Sequence, residues 1–257
     1  MDLARFIFWE GLKTLGLLFL GLLAAKAVGA LARPAPLARR GVAPLLRASL
    51  YLLILMLVGT GALTIGYDLA AEAYMYACVR DLGRREVGMA YLNARQAVKL
   101  RPATLRYWQT LASAKFAQQQ FASVIADLPV LLALSGGKLE EEEAYRVAAA
   151  YYFLGQYEQV FPLTRRMIRE NRVFAAPYVL EGYTYIAQKK YAPAEKVFLE
   201  VLQMFPSQQA AVEGLAHAHY LSGQRAAALS VLDQTAQFRF PSEARQRFEA
   251  LKDLYAQ

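Results

Sequence analysis

Through the second two-thirds of the chain, large and small apolar residues return in a frame of 34 residues. Segments starting at Ala71, Leu105, Glu141, Ala175 and Gln209 bring Tyr74, Trp108, Ala144, Tyr178 and Val212 into one column. Cys78, Ala112, Ala148, Gly182 and Ala216 form a second column, and Ala90, Val124, Val160, Ala194 and Ala228 a third. The successive spacings are 34, 36, 34 and 34, so one short insertion, at residues 135–138, keeps all five in register. Small residues at the eighth and twentieth places let two helices approach closely, and large ones at the fourth, eleventh and twenty-fourth fill the space between units. Such a period predicts stacked helix pairs, a solenoid.

The helical reading holds inside each segment. Tyr178, Gly182 and Tyr185 recur at helical spacing, as do Ala194, Val197, Phe198, Val201 and Leu202 in the second half of the same segment. Pro206 stops that second stripe, because proline cannot donate the next backbone hydrogen bond. Gly155 with Gln156, and Gly223 with Gln224, mark the turns between paired helices. After the last segment Ser242 can cap a helix whose stripe is Ala244, Phe248, Leu251 and Tyr255, while Glu243, Arg245, Arg247, Glu249, Lys252 and Asp253 keep its other faces wet. Residues 242–257 are therefore expected to be a capping helix, closing the stack with a polar surface.

The first 70 residues follow a different pattern. Residues 48–67 are twenty consecutive uncharged positions rich in leucine, enough to span a hydrocarbon core of about 30 Å. Arg47 and Asp68 bound this transmembrane helix, and Tyr51 and Tyr67 suit the interfacial belts. Residues 14–32 form a second candidate span, interrupted by Lys26, which can snorkel towards the interface near Arg33. Two other readings of that segment stand beside it: a signal peptide with a poor cleavage neighbourhood at residues 25–27, and an interfacial helix anchored by Phe6, Phe8 and Trp9. A hairpin is the reading adopted, giving a membrane anchor at 1–70, helix pairs at 71–241 and the cap at 242–257. Its connecting loop, 33–47, carries Arg33, Arg39, Arg40 and Arg47 and no acidic residue, with Pro34, Pro36 and Pro44 stiffening it. Short basic loops stay cytoplasmic, so the expectation is a two-pass protein of the cytoplasmic (inner) membrane, with the repeat domain periplasmic or extracellular.

The columns resemble the tetratricopeptide repeat (TPR) family. The match is strongest in the fourth segment, where Tyr178, Gly182, Tyr185, Tyr191, Ala194, Phe198 and Pro206 stand at that family's signature places, while Glu181 and Lys189 replace its usual leucine and turn glycine. The fifth segment keeps Leu215, Ala216, Gly223, Ala228 and Leu232, the first keeps Tyr74, Ala90, Ala97 and Pro102, and the second and third are more degenerate. The resemblance implies an all-α, TPR-like α-solenoid that binds proteins or peptides without chemistry of its own.

Charge adds little to this. The formal net charge is +8, but the first 70 residues hold seven basic against three acidic residues, so the remaining 187 carry only +4. The pairs Arg84 with Arg85, Arg165 with Arg166 and Lys189 with Lys190 are separated by acidic stretches such as residues 140–143, so no coherent basic track for nucleic acid exists. Catalytic signals are equally weak. The single cysteine, Cys78, fills a small-residue column, and His217 and His219 sit two apart, which points them to different helix faces. No Gly-rich phosphate cradle or paired-cysteine motif is present, and neither a metal nor a cofactor is expected.

The resemblance also implies where a partner would bind. In the family, the groove is lined by the second, fifth, ninth, twelfth and thirteenth places of each first helix. Carried over, these include Met75, Val79, Gln109, Ser113, Phe116, Tyr145, Ala149, Tyr152, Val179, Tyr183, Ile186, Glu213, His217 and Tyr220. This set is aromatic and largely uncharged, and it lacks the lysines and asparagines with which the family binds free carboxylates. An apolar helix or extended peptide of a partner protein suits it better. Two functions follow: a permanent scaffold or accessory subunit of a membrane or cell-envelope complex, and a transient assembly factor or chaperone for one. A third, an enzyme processing an envelope substrate, requires a closed pocket with convergent polar groups. Membrane lipids are expected around residues 1–70.

Overall fold

The structure is a computed structural model and describes residues 43–256. The chain divides into two compact units, Met1–Gln118 and Gln119–Gln257.

The first unit holds α1 (Ala43–Gly83), α2 (Val87–Leu100) and α3 (Leu105–Ala117). Helix α1 runs unbroken for 41 residues, about 60 Å at 1.5 Å per residue, and crosses residue 70 without interruption. Its two halves have different surroundings. From Leu50 to Leu63 most large side chains are exposed, with Leu55 at 70%, and the hydroxyls of Thr60 and Thr64 donate back to Met56 O (2.9 Å) and Gly61 O (2.8 Å). An apolar medium tolerates such a helix because every backbone group and hydroxyl finds its partner internally. Beyond Ala71 the same helix is amphipathic. Ala71, Met75 and Cys78 pack against Ala90, Ala94, Ala97 and Val98 of α2, which runs back alongside, and against Tyr107, Leu111 and Ala114 of α3.

Among the described residues one helix, Ser49–Gly83 within α1, is long and apolar enough to cross a membrane. This corrects the two-pass topology, which required two such helices and an orienting loop between them. The expected helix at 14–32, with Arg33, Arg39 and Arg40, lies outside the described residues. Arg47 stands inside α1 and not in a loop. Pro44 falls at the helix's second position, where its missing amide breaks no intrahelical bond, so the helix starts earlier than the proline suggested.

The second unit contains α4 (Phe121–Ala126), α5 (Leu128–Leu134), α6 (Glu141–Phe153), α7 (Tyr157–Glu170), α8 (Ala175–Ala187), α9 (Tyr191–Met204), α10 (Gln209–Leu221), α11 (Arg225–Gln234), a 3-10 turn (Thr235–Gln237) and α12 (Ser242–Ala256). From α6 to α12 consecutive helices pair, α4 packs against α6, and α8 also touches α6 and α10, so first helices stack along one side. The centre of this unit is Phe198 of α9, fully buried among Tyr178, Ala194, Val201, Ala211 and Leu215. Its ring fits because Gly182 of α8 and Gly214 of α10 have no side chain; a Cβ at Gly182 would stand 2.5 Å from the ring, and one at Gly214 closer still. Helix α12 packs Ala244, Phe248 and Tyr255 onto Val212, Ala216, Ala228 and Leu232. Its first bond runs from Arg245 N–H to Pro241 O, so Ser242 begins the helix instead of capping it.

Five helix-to-helix turns place one residue in the left-handed region, at the fifteenth place of the register. These are Arg85, Gln119, Gly155, Lys189 and Gly223. In four of them the next N–H reaches back five residues, as from Gln156 to Tyr151 O (2.9 Å) and from Lys190 to Tyr185 O (2.9 Å), closing a Schellman cap.

Candidate partner-binding face

The fourteen residues singled out by the register fall into both units. In the first, Met75 is buried beneath α2, Val79 is exposed, and Gln109, Ser113 and Phe116 are half-buried along α3. Two buried carboxylates hold this unit in shape. Asp81 accepts from Asn93 Nδ2 (2.7 Å) and Arg80 Nη2 (2.9 Å), and Glu72 accepts from Arg106 and from Tyr107 OH (2.8 Å). Burial, then the hydrogen bond to Glu72, pushes the Tyr107 phenol up to about 12. Burial and then the charge of Asp81 push the Cys78 thiol up to about 11, so it is a packing residue with no thiolate character at neutral pH.

In the second unit, α6, α8 and α10 carry the other nine. Tyr145 stands edge-on to Phe174 (6.0 Å between centroids) and Tyr152 lies against Phe153 (5.4 Å) and Tyr157 (6.0 Å). Tyr183 meets Phe198 edge to face (5.4 Å) and donates its hydroxyl to Ala210 O (3.2 Å). Ala149, Val179 and Ile186 are buried. Burial raises the pKa of all three phenols, with Tyr157 and Glu213 adding to it for Tyr152 and Tyr183 respectively. They therefore remain neutral hydrogen-bonding groups at physiological pH.

The last three of the nine have a partner within the chain. Tyr220 stacks on Tyr255 of α12 (4.2 Å, 14° between planes), and His217 Nδ1 is 3.0 Å from Tyr255 OH, either group donating according to the imidazole tautomer. Glu213 accepts from Gln209 Nε2 (2.8 Å) and faces Arg247 Nη1 at 3.9 Å. This end of the face is occupied by the capping helix. The open aromatic part lies at the other end, and it includes a residue absent from the fourteen. Phe153, in the thirteenth place, is 57% exposed and stacks on Phe121 (4.6 Å, 15°). The signal was available one position past Tyr152; alanine or leucine occupies that place in the second, fourth and fifth segments, which hid it.

Burial lowers the His217 pKa below its ordinary 6.5, so the folded state favours the neutral ring. Protons then bind more readily to the unfolded chain, and this contribution to stability is complete above about pH 6.5 and declines as the pH falls below it. Between about pH 8 and about pH 5.5 the native protein is expected to lose more stability in urea melts than a His217→Asn variant, whose side chain does not titrate. Equal losses would remove His217 from the account. His219, on another face of α10, sits 3.2 Å from Glu195 Oε1. Among the described residues no three His, Cys, Asp or Glu side chains converge as a metal site. A recess of about 340 Å³ opens between α9 and α11, lined by Leu199, Leu202, Val231 and Phe238 among others, and none of the fourteen residues lines it.

No family model and no curated protein matches the chain. Solved structures do. MamA of Desulfovibrio magneticus RS-1 is 14% identical with a TM-score of 0.57, covering 65% of this chain and 94% of its own. A thermophilic TPR protein of Thermus thermophilus is 16% identical with a TM-score of 0.56, over 70% of this chain and 98% of its own. YrrB, described as a TPR protein with an unusual peptide-binding site, is 14% identical with a TM-score of 0.51, over 69% and 90%. At these identities the likeness shows the fold alone, an all-α, TPR-like solenoid. A solenoid of this kind is consistent with protein–protein interaction.

Proposed function

We propose that the chain is a non-enzymatic scaffold that holds a partner protein on the aromatic face of its second unit while the apolar half of α1 tethers it in a lipid bilayer. The observation that carries the binding half is the ring cluster of Phe121, Tyr152, Phe153 and Tyr157, with Phe153 57% exposed. Rigid aromatic area is left open on stacked first helices, and the phenols keep polar handles at its edge. The fold-level precedent of YrrB points the same way, since that protein has a peptide-binding site. The tether is supported by the length, uncharged character and exposure of residues 49–67.

The test replaces Tyr152 and Phe153 by alanine, two side chains that line the open end without filling the Phe198 core. Truncating hot-spot aromatics costs about 2 kcal/mol or more, about thirtyfold in affinity. In affinity capture from native membranes the double variant should lose partners that a Phe238→Ala control at the α9–α11 recess retains, with helicity unchanged in both. The same partners at the same occupancy in the double variant would move the binding surface elsewhere.

A further inference from the structure

The turn between α2 and α3 lies level with the end of the apolar span. Helices α1 and α2 run antiparallel, and their pairings descend in order: Asn93 bonds Asp81, the next turn packs Ala94 by Cys78, and Arg101 reaches residues 64–68. Arg101 Nη2 donates to Thr64 O at 2.6 Å and its Nε pairs with the Asp68 carboxylate. Thr64 belongs to the uncharged stretch, and Asp68 is the first charge after it. The guanidinium therefore bridges the boundary itself. The turn is fixed at that height by Trp108, whose indole donates to Pro102 O at 2.7 Å. Pro102 and Ala103 are exposed at its tip, Lys99 is exposed beside it, and Tyr67 is exposed on α1 at the same level.

We propose that residues 99–104 rest on the phospholipid headgroup layer, with Lys99 facing lipid phosphates and Arg101 holding the turn against α1. This rests on the reading that α1 spans a bilayer, and it adds a second contact that fixes how closely the first unit stands to the surface. Three features favour a lipid surface over a protein. The patch is continuous with the span. The carboxylates of Asp68 and Glu72 are each matched by an arginine, Arg101 and Arg106, which leaves Lys99 as excess positive charge for anionic headgroups. A lysine on an apolar stem beside a tyrosine also suits the interfacial zone, where the stem meets acyl chains and the charged end meets phosphate.

The experiment places a single environment-sensitive fluorophore on the full chain in vesicles of phosphatidylcholine with phosphatidylglycerol. The label goes on Ala103→Cys in one sample and on Arg84→Cys in another. Residue 84 is in the α1–α2 turn, about 25 Å further along α1 from Asp68. Cys78, buried with its thiol pushed up to about 11, stays unlabelled. Flotation with carbonate-washed vesicles reports the span; quenching by a lipid spin-labelled near its headgroup reports the turn. The expected result is several-fold stronger quenching at 103 than at 84, reduced when Lys99→Glu is added. If the chain floats but the two labels are quenched equally, or the charge variant changes nothing, the headgroup contact is overturned and the tether stands. A chain that does not float overturns both.

Discussion

Phe198→Ala should cost the second unit about 3–5 kcal/mol, the range for truncating a fully buried phenylalanine. The ring is 0% exposed and is held between α8 and α10. It leaves a void that cannot close cheaply, because Gly182 and Gly214 supply only backbone there and helix backbones do not collapse inward without unpacking their own pairs. The converse substitution tests the same geometry. Gly214→Ala pushes a methyl into the ring, and the ring cannot swing away because Gly182 holds its other side. An overpacking cost of about 1–3 kcal/mol follows. In a Phe198→Leu background the Gly214→Ala cost should shrink, since the shorter side chain vacates the contact, and the cycle measures that coupling directly. Urea melts of the full chain in detergent, followed by helicity, give all four values. A Phe198→Ala loss below about 1 kcal/mol would show that the unit does not depend on this clamp.

That clamp was written in the sequence only in outline. The column of small residues at the eighth place includes Gly182, and the large twenty-fourth place is Phe198, so close approach of helices was legible there. Gly214 stands outside the columns, and only the third dimension brings it to the same ring. Segment starts at Leu105, Glu141, Ala175 and Gln209 coincide with the first residues of α3, α6, α8 and α10. The start at Ala71 does not begin a helix, because α1 enters from the apolar stretch and the 34-residue frame carries no information about what precedes it. The left-handed turns were marked by residue type at Gly155 and Gly223 and by its register place at Lys189, but not at Arg85 and Gln119; at the three non-glycine positions the fold imposes a conformation that the residue type does not favour.

For the binding face, the register named sides of helices and not depths. Met75, Ala149, Val179 and Ile186 share that side with Tyr152 but are covered by neighbouring helices. The stripe Ala244, Phe248, Leu251 and Tyr255 identified α12 as apolar on one side. It gave no sign that Tyr255 would end stacked on Tyr220, a contact spanning the last turn and 35 residues of chain. Period locates a residue on its own element; the partner depends on how elements stack. The same limit explains why, within the second unit, a face that looked uniform has an occupied end at Glu213, His217 and Tyr220 and an open one at Tyr152 and Phe153.

Leu57→Arg should release α1 from the bilayer. Leu57 lies near the middle of the uncharged stretch and is 63% exposed, and none of the most apolar eighteen residues of this helix is buried. The new guanidinium would have no carboxylate within the span to pair with, since the nearest, Asp68, is eleven residues away and already paired with Arg101. From the centre of a span even a long side chain reaches the headgroups poorly, and insertion scales put the cost at about 2.5–3.5 kcal/mol. That shifts the insertion equilibrium by about two orders of magnitude. After carbonate extraction the variant should appear largely in the soluble or aggregated fraction, whereas Leu57→Met, of similar volume and polarity, should remain with the membranes. The second unit should be unaffected in both, because its packing centre at Phe198 draws on no residue of α1. Retention of Leu57→Arg in the carbonate-washed membrane would mean that this helix face meets protein or water instead of lipid, and the tether would then have to be sought in another part of the chain.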